Sequence, residues 1–94
     1  MGKYVYISFV RWTKKAFELG QEYWENTWMP KHLELCGKHN IKLLKSGGSY
    51  GNQYHWAFIY ETDKPLAEYI EFTNDLGKIH EERIIDLTET ITVV

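Results

Sequence analysis

Tyr54–Glu61, reading Tyr-His-Trp-Ala-Phe-Ile-Tyr-Glu, is the stretch that most limits what this chain can become. It is aromatic or β-branched at most positions and free of Gly and Pro, so it predicts a strand. Alternation along a strand sets Tyr54, Trp56, Phe58 and Tyr60 on one face and His55, Ala57 and Ile59 on the other. Neither set is charged. A strand with two unsolvated faces belongs inside a sheet that is covered front and back. Tyr4–Val10 has the same character, with Tyr4, Tyr6, Ser8 and Val10 on one face and Val5, Ile7 and Phe9 on the other.

The remaining elements follow from periodicity. Thr13–Asn40 predicts a long helical stretch. At about 100° per residue, Trp24, Trp28, Met29, His32, Leu33, Leu35 and Cys36 share one side of it, and Glu22, Glu25 and Glu34 the other. Pro30 cannot donate to the carbonyl of Asn26, so it either kinks the helix or opens its second half. Gly37 through Asn40 carries the stop signals. Ile41–Ser46 predicts an edge strand guarded by Lys42 and Lys45, joined through the Gly-rich stretch 47–52 to the central strand as a hairpin. Asp63-Lys64-Pro65 starts a second helix, with Leu66, Tyr69, Ile70, Thr73 and Leu76 on one stripe and Gly77 as its stop. Ile84–Val94 closes the chain as the other edge strand, its aliphatic residues alternating with Asp86, Thr88, Thr90 and Thr92.

The order β-α-β-β-α-β predicts an α+β chain, residues 1–94 forming one domain with a ferredoxin-like four-stranded antiparallel sheet. Right-handed crossovers place both helices on one face of that sheet. The other face then carries either Tyr4, Tyr6, Trp56 and Phe58 or Val5, Ile7, Phe9, Ala57 and Ile59. Leaving several such residues in water costs on the order of 1.5–3 kcal/mol each. A second copy packed sheet to sheet removes that cost, so a homodimer forming an α+β barrel is expected.

Composition sharpens this. Of 94 residues, 16% are aromatic, with four Trp and seven Tyr, which is much ring for a small interior. Interfaces and ligand cavities both use such rigid side chains. A net charge of −2 with no Lys/Arg run argues against nucleic acid and anionic membrane as partners. The single Cys36 can form no internal disulfide. No apolar run approaches the roughly 20 residues of a membrane span, and no signal-peptide pattern precedes Tyr4, so a soluble, cytoplasmic protein is expected.

The segment Tyr23-Trp24-Glu25-Asn26-Thr27-Trp28-Met29-Pro30 resembles the Tyr-Trp-x-x-x-His-x-Pro segment of EthD-type proteins. These belong to the dimeric α+β barrel superfamily, with the antibiotic-biosynthesis monooxygenases. A strand ending in Glu61-Thr62-Asp63, a Pro-started helix and a closing β-strand are shared, and small stand-alone members of no assigned activity are similar too. The resemblance implies two facing sheets in a homodimer and a pocket between each sheet and its own helices. Members bind small organic molecules, degrade haem, or oxygenate aromatics without a bound cofactor. The motif's His is Trp28 here, and His32 lies one turn further along the same face.

Two imidazoles are the candidate chemistry. His32, on the apolar helix stripe, reads either as a general acid/base or ligand hydrogen-bonder in a dry pocket, or as a core histidine bonded to a carbonyl. If the face of Ala57 and Ile59 looks at the helices, His55 and His32 line one cavity. Trp24, Trp28 and His32 then form one wall and Phe9 with His55 the other, with Cys36 a further ligand-binding candidate. That choice assigns Tyr4, Tyr6, Trp56 and Phe58 to the dimer interface. Cys36 itself has no activating neighbour in sequence. His32 and His39 stand two turns apart, roughly 10 Å along the axis, and no metal-binding pattern occurs, so no metal is expected. No cofactor is expected either; haem enters only through the resemblance. Two functions stay open: a protein binding a small apolar or aromatic molecule, as a cofactor-free oxygenase or isomerase, or a non-catalytic domain whose cavity its own side chains fill.

Overall fold

A computed structural model describes residues 2–94. Strand β1 (Tyr4–Trp12) is followed by a short helix, α1 (Lys14–Glu18), capped by the Thr13 hydroxyl, which accepts from the Ala16 N–H. A longer helical run has three parts: α2 (Gln21–Tyr23), a π-helical turn at Trp24–Trp28, and α3 (Met29–His39). Then come β2 (Ile41–Gly48), β3 (Trp56–Thr62), α4 (Leu66–Leu76) and β4 (Ile85–Val93).

The four strands form one antiparallel sheet in the order β2-β3-β1-β4. The two strands with uncharged faces are the inner pair, and the lysine-bearing and threonine-bearing strands are the edges, as their patterns require. This α+β arrangement is compatible with a ferredoxin-like fold. Among the described residues no helix is long and apolar enough to cross a membrane.

The expected long helix does not run unbroken from Thr13. Leu19 and Gly20 adopt extended backbone and separate α1 from the rest. Gly37 stays inside α3, and the helix stops instead at Asn40, whose φ of 56° is the left-handed conformation that Asn tolerates.

Both α3 and α4 cover the face carrying Tyr4, Tyr6, Ser8 and Val10. Tyr69 of α4 stacks on Tyr6 at 4.1 Å between ring centroids, and Phe72 meets Tyr60 edge-on at 5.2 Å. This corrects the interface assignment. Tyr6 and Phe58 are buried at 0% and 3% exposure within one chain, and Tyr4 and Trp56 are partly buried against the same core, so the four lie on the face that the chain's own helices cover. The reason is size and polarity. Large rings fill the gap between sheet and helices, and their hydroxyls find partners there: Tyr6 donates to the Lys64 carbonyl at 2.8 Å, and Tyr69 shares a hydrogen bond with Ser8. The uncovered face instead carries the aliphatic set of Val5, Ile7, Phe9, Ala57 and Ile59, which the register joins to Leu87, Ile91 and Val93 of β4.

The helix stripes are also rotated from expectation. On α4, Tyr69, Phe72 and Leu76 are buried while Leu66 and Ile70 point outward; on α3, Leu33 is half exposed. Ring-to-ring packing on Tyr6 and Tyr60 sets the rotation, outweighing the aliphatic count on the other flank.

Candidate functional site

The layer between sheet and helices is filled at one end and hollow at the other. The hollow is a cavity of about 500 Å³. Trp12 comes to it from the end of β1, Ala16, Phe17 and Leu19 from α1 and its exit, Trp24, Trp28 and Met29 from the helical run, and His55, Trp56 and Phe58 from the start of β3. Every one of the chain's four tryptophans is in that wall.

Local sequence explains how they arrive. The pairing of β1 with β4 slips at Arg11/Trp12, which breaks the strand's alternation at its last residue. Pro30 has no N–H for Asn26, and its ring would press on that carbonyl in a regular helix. The preceding turn widens instead, and Met29 N–H bonds back to the carbonyl of Trp24. Pro30 thus sits in the first turn of α3 after a π turn that carries Trp24 and Trp28 at its two ends. Their indoles meet at 5.5 Å, and Trp12 packs against Trp24 at 5.1 Å and edge-on to Trp28 at 6.2 Å.

His55 reaches the cavity by a route the alternation did not predict. The strand begins two residues later than expected, at Trp56, so His55 is free of the face that Ala57 and Ile59 share. Its backbone is fixed on both sides, N–H to the Val10 carbonyl at 2.9 Å and carbonyl to the Ser49 N–H at 3.1 Å. Its ring is fixed too. Nδ1 accepts from the Trp12 backbone N–H at 3.0 Å, and the edge of Phe17 lies 4.9 Å away. A neutral ring with Nδ1 so engaged carries its proton on Nε2.

His32 is elsewhere. It is fully buried behind the wall, against Trp28 at 4.9 Å and Phe58 at 5.0 Å, and does not line the cavity. Nε2 lies 2.7 Å from the Tyr60 hydroxyl and Nδ1 3.3 Å from Met29 Sδ. Both partners are satisfied when Tyr60 O–H donates to Nε2 and Nδ1–H points at sulfur, the tautomer this network selects. Burial lowers the imidazole to about 4, so it is neutral at physiological pH, and burial also holds the Tyr60 hydroxyl well above its usual value. The shared His32–His55 cavity is therefore corrected: His32 is a satisfied core residue.

Two further assignments are corrected. Phe9 lies on the uncovered sheet face, where it meets Tyr54 at 5.8 Å. Cys36 is buried away from the cavity, and burial pushes its thiol up to about 11, so it is not a nucleophile. Trp24 and Trp28 do line the cavity, as expected of them. Trp12, Phe17 and Trp56 were missed; the count of four Trp in so short a chain was the signal that they converge.

The wall is almost entirely hydrocarbon and ring. Among the described residues that line it, none has a side-chain oxygen, and His55 is the one ionisable group. Among all described residues, Trp28 Nε1 is the one buried side-chain nitrogen or oxygen with no partner. No cluster of three or more metal-ligating side chains occurs among them. Haem does not fit at His32, since both ring nitrogens are engaged and the ring is sealed from the cavity. The sequence matches no protein-family model. A search of curated proteins finds no match either.

Proposed function

We propose that this chain is a ferredoxin-like protein that pairs with a second copy into a dimeric α+β barrel and holds a small apolar or aromatic molecule between its sheet and helices. The observation that carries the binding reading is the convergence of all four tryptophans on one cavity of about 500 Å³, a size and lining suited to a small organic ligand. Where such a ligand is transformed, as by a cofactor-free oxygenase or isomerase, His55 is the group in contact with it that can move a proton. No cofactor enters this reading.

The dimer rests on the uncovered sheet face. Ile91 and Val93 are 47% and 49% exposed there, beside Val5, Ile7 and Ile59. Charge at its margins supports a second copy and one orientation of it. The register puts Lys45 of β2 on this face at one edge and Glu89 of β4 at the other, while Lys42 lies beside Glu61 of its own sheet. A two-fold axis parallel to the strands lays β2 over the partner's β4, lysine against glutamate. An axis across the strands would lay lysine over lysine.

Two measurements test the reading. A panel of flat aromatic molecules is expected to raise the melting temperature, and absence of any rise across the panel would remove the binding claim. Sedimentation at micromolar concentration is expected to give a dimer that Ile7→Asp converts to monomer. A wild-type monomer at that concentration would remove the barrel.

A further inference from the structure

The lining of the cavity says what kind of molecule it suits. Its lining side chains include no oxygen acceptor, and the one acceptor nitrogen, His55 Nδ1, is already used by the Trp12 N–H at 3.0 Å, which leaves the His55 Nε2–H as the unengaged polar group of that ring. Nothing in the wall is a fixed positive charge, so a carboxylate or phosphate would find no counter-ion there. A hydroxyl or amine would bring a donor that finds no side-chain partner. A neutral carbonyl brings only an acceptor.

We propose that the ligand is a neutral, flat aromatic carbonyl compound, its rings lying among the tryptophans and its oxygen accepting from the His55 Nε2–H. This rests on the binding reading above and narrows it to a chemical class. His55 suits the role because its backbone and Nδ1 are both tied down, so its remaining N–H is presented with little freedom to lose on binding.

The test compares 9-fluorenone with fluorene, which share a planar skeleton and differ by a carbonyl in place of a methylene, by equilibrium dialysis. Wild-type protein is expected to bind fluorenone roughly three- to tenfold more tightly, the worth of one hydrogen bond. In His55→Asn the side-chain oxygen still accepts from the Trp12 N–H but no donor stands at the Nε2 position. The fluorenone-to-fluorene ratio is expected to fall to about one, whatever the change in affinity that the two probes share. His55→Phe is expected to give the same ratio with a less stable fold, because it orphans that N–H. Equal binding of the two probes by the wild type, or a preference that survives His55→Asn, overturns the carbonyl inference while leaving the binding reading intact. Binding of neither probe overturns both.

Discussion

The two ends of the layer between sheet and helices are both built largely from aromatic rings and behave differently. At the filled end, Tyr6, Tyr60, Tyr69, Phe72 and His32 are each at most 1% exposed, and the polar tips have partners: Tyr6 with the Lys64 carbonyl, Tyr69 with Ser8, Tyr60 with His32. His39 and Asp75 bridge α3 to α4 at 2.8 Å above it, and this bond holds the Asp75 carboxyl below the usual range. At the hollow end, four indoles surround space, and a buried N–H goes without a partner. Buried polar groups are normally satisfied. An aromatic core closed with every hydroxyl matched reads as structure; one left open and short of an acceptor reads as a place for something else.

Substitutions can break or sharpen that contrast. The largest effect is expected at the filled end from Phe72→Ala, which removes a fully buried ring and should cost about 3–5 kcal/mol in denaturant unfolding. A cost below about 1 kcal/mol would mean that this end is not tightly packed. Next comes acid sensitivity. Above pH about 6.5, His32 is neutral in both folded and unfolded chains, so its burial carries no proton penalty. As pH falls from 6.5 toward 4, the unfolded chain takes up a proton that the folded one refuses, and stability declines by roughly 3 kcal/mol in all, levelling off below about 4. His32→Leu should flatten this part of the pH profile, although it costs about 1–3 kcal/mol at neutral pH by orphaning the Tyr60 hydroxyl. Asp75 also loses its stabilising contribution on acidification, so the decisive quantity is the difference between wild type and variant at each pH. The smallest effect is expected at the hollow end. Trp28→Phe enlarges the void but removes the unpartnered N–H, and the two terms should offset to within about 1 kcal/mol. A loss of 3 kcal/mol or more would place Trp28 with the filled end.

Much of the scaffold was legible in the residues. The two uncharged strands are the inner pair, and the edges, the hairpin and the helix before the last strand follow from alternation and stop signals. What the pattern left open was which face of the sheet meets the helices, because Tyr4/Tyr6/Trp56/Phe58 and Val5/Ile7/Phe9/Ile59 are equally free of charge. Only the fit of rings across the sheet–helix gap, with partners for their hydroxyls, decides it. The same ambiguity carried Phe9 into the supposed pocket and Trp56 out of it. Helical spacing groups Trp24 and Trp28, and both line the cavity. His55 lines it from outside β3, which starts at Trp56, so strand alternation does not set its direction. His32 stands on the helix stripe as expected, but its mate Tyr60 comes from a strand 28 positions away, and no local spacing encodes that pairing.

The widened turn at Trp24–Trp28 uncouples the two ends of its helix. A helix wound regularly from Gln21 to His39 would lock the direction of its first side chains to that of its last, so any shift in one would swing the other. With five residues closing the turn instead of four, Trp24 stands at an angle to His32 and Cys36 that a regular helix would not give it, while Trp28 stays packed on His32 at 4.9 Å.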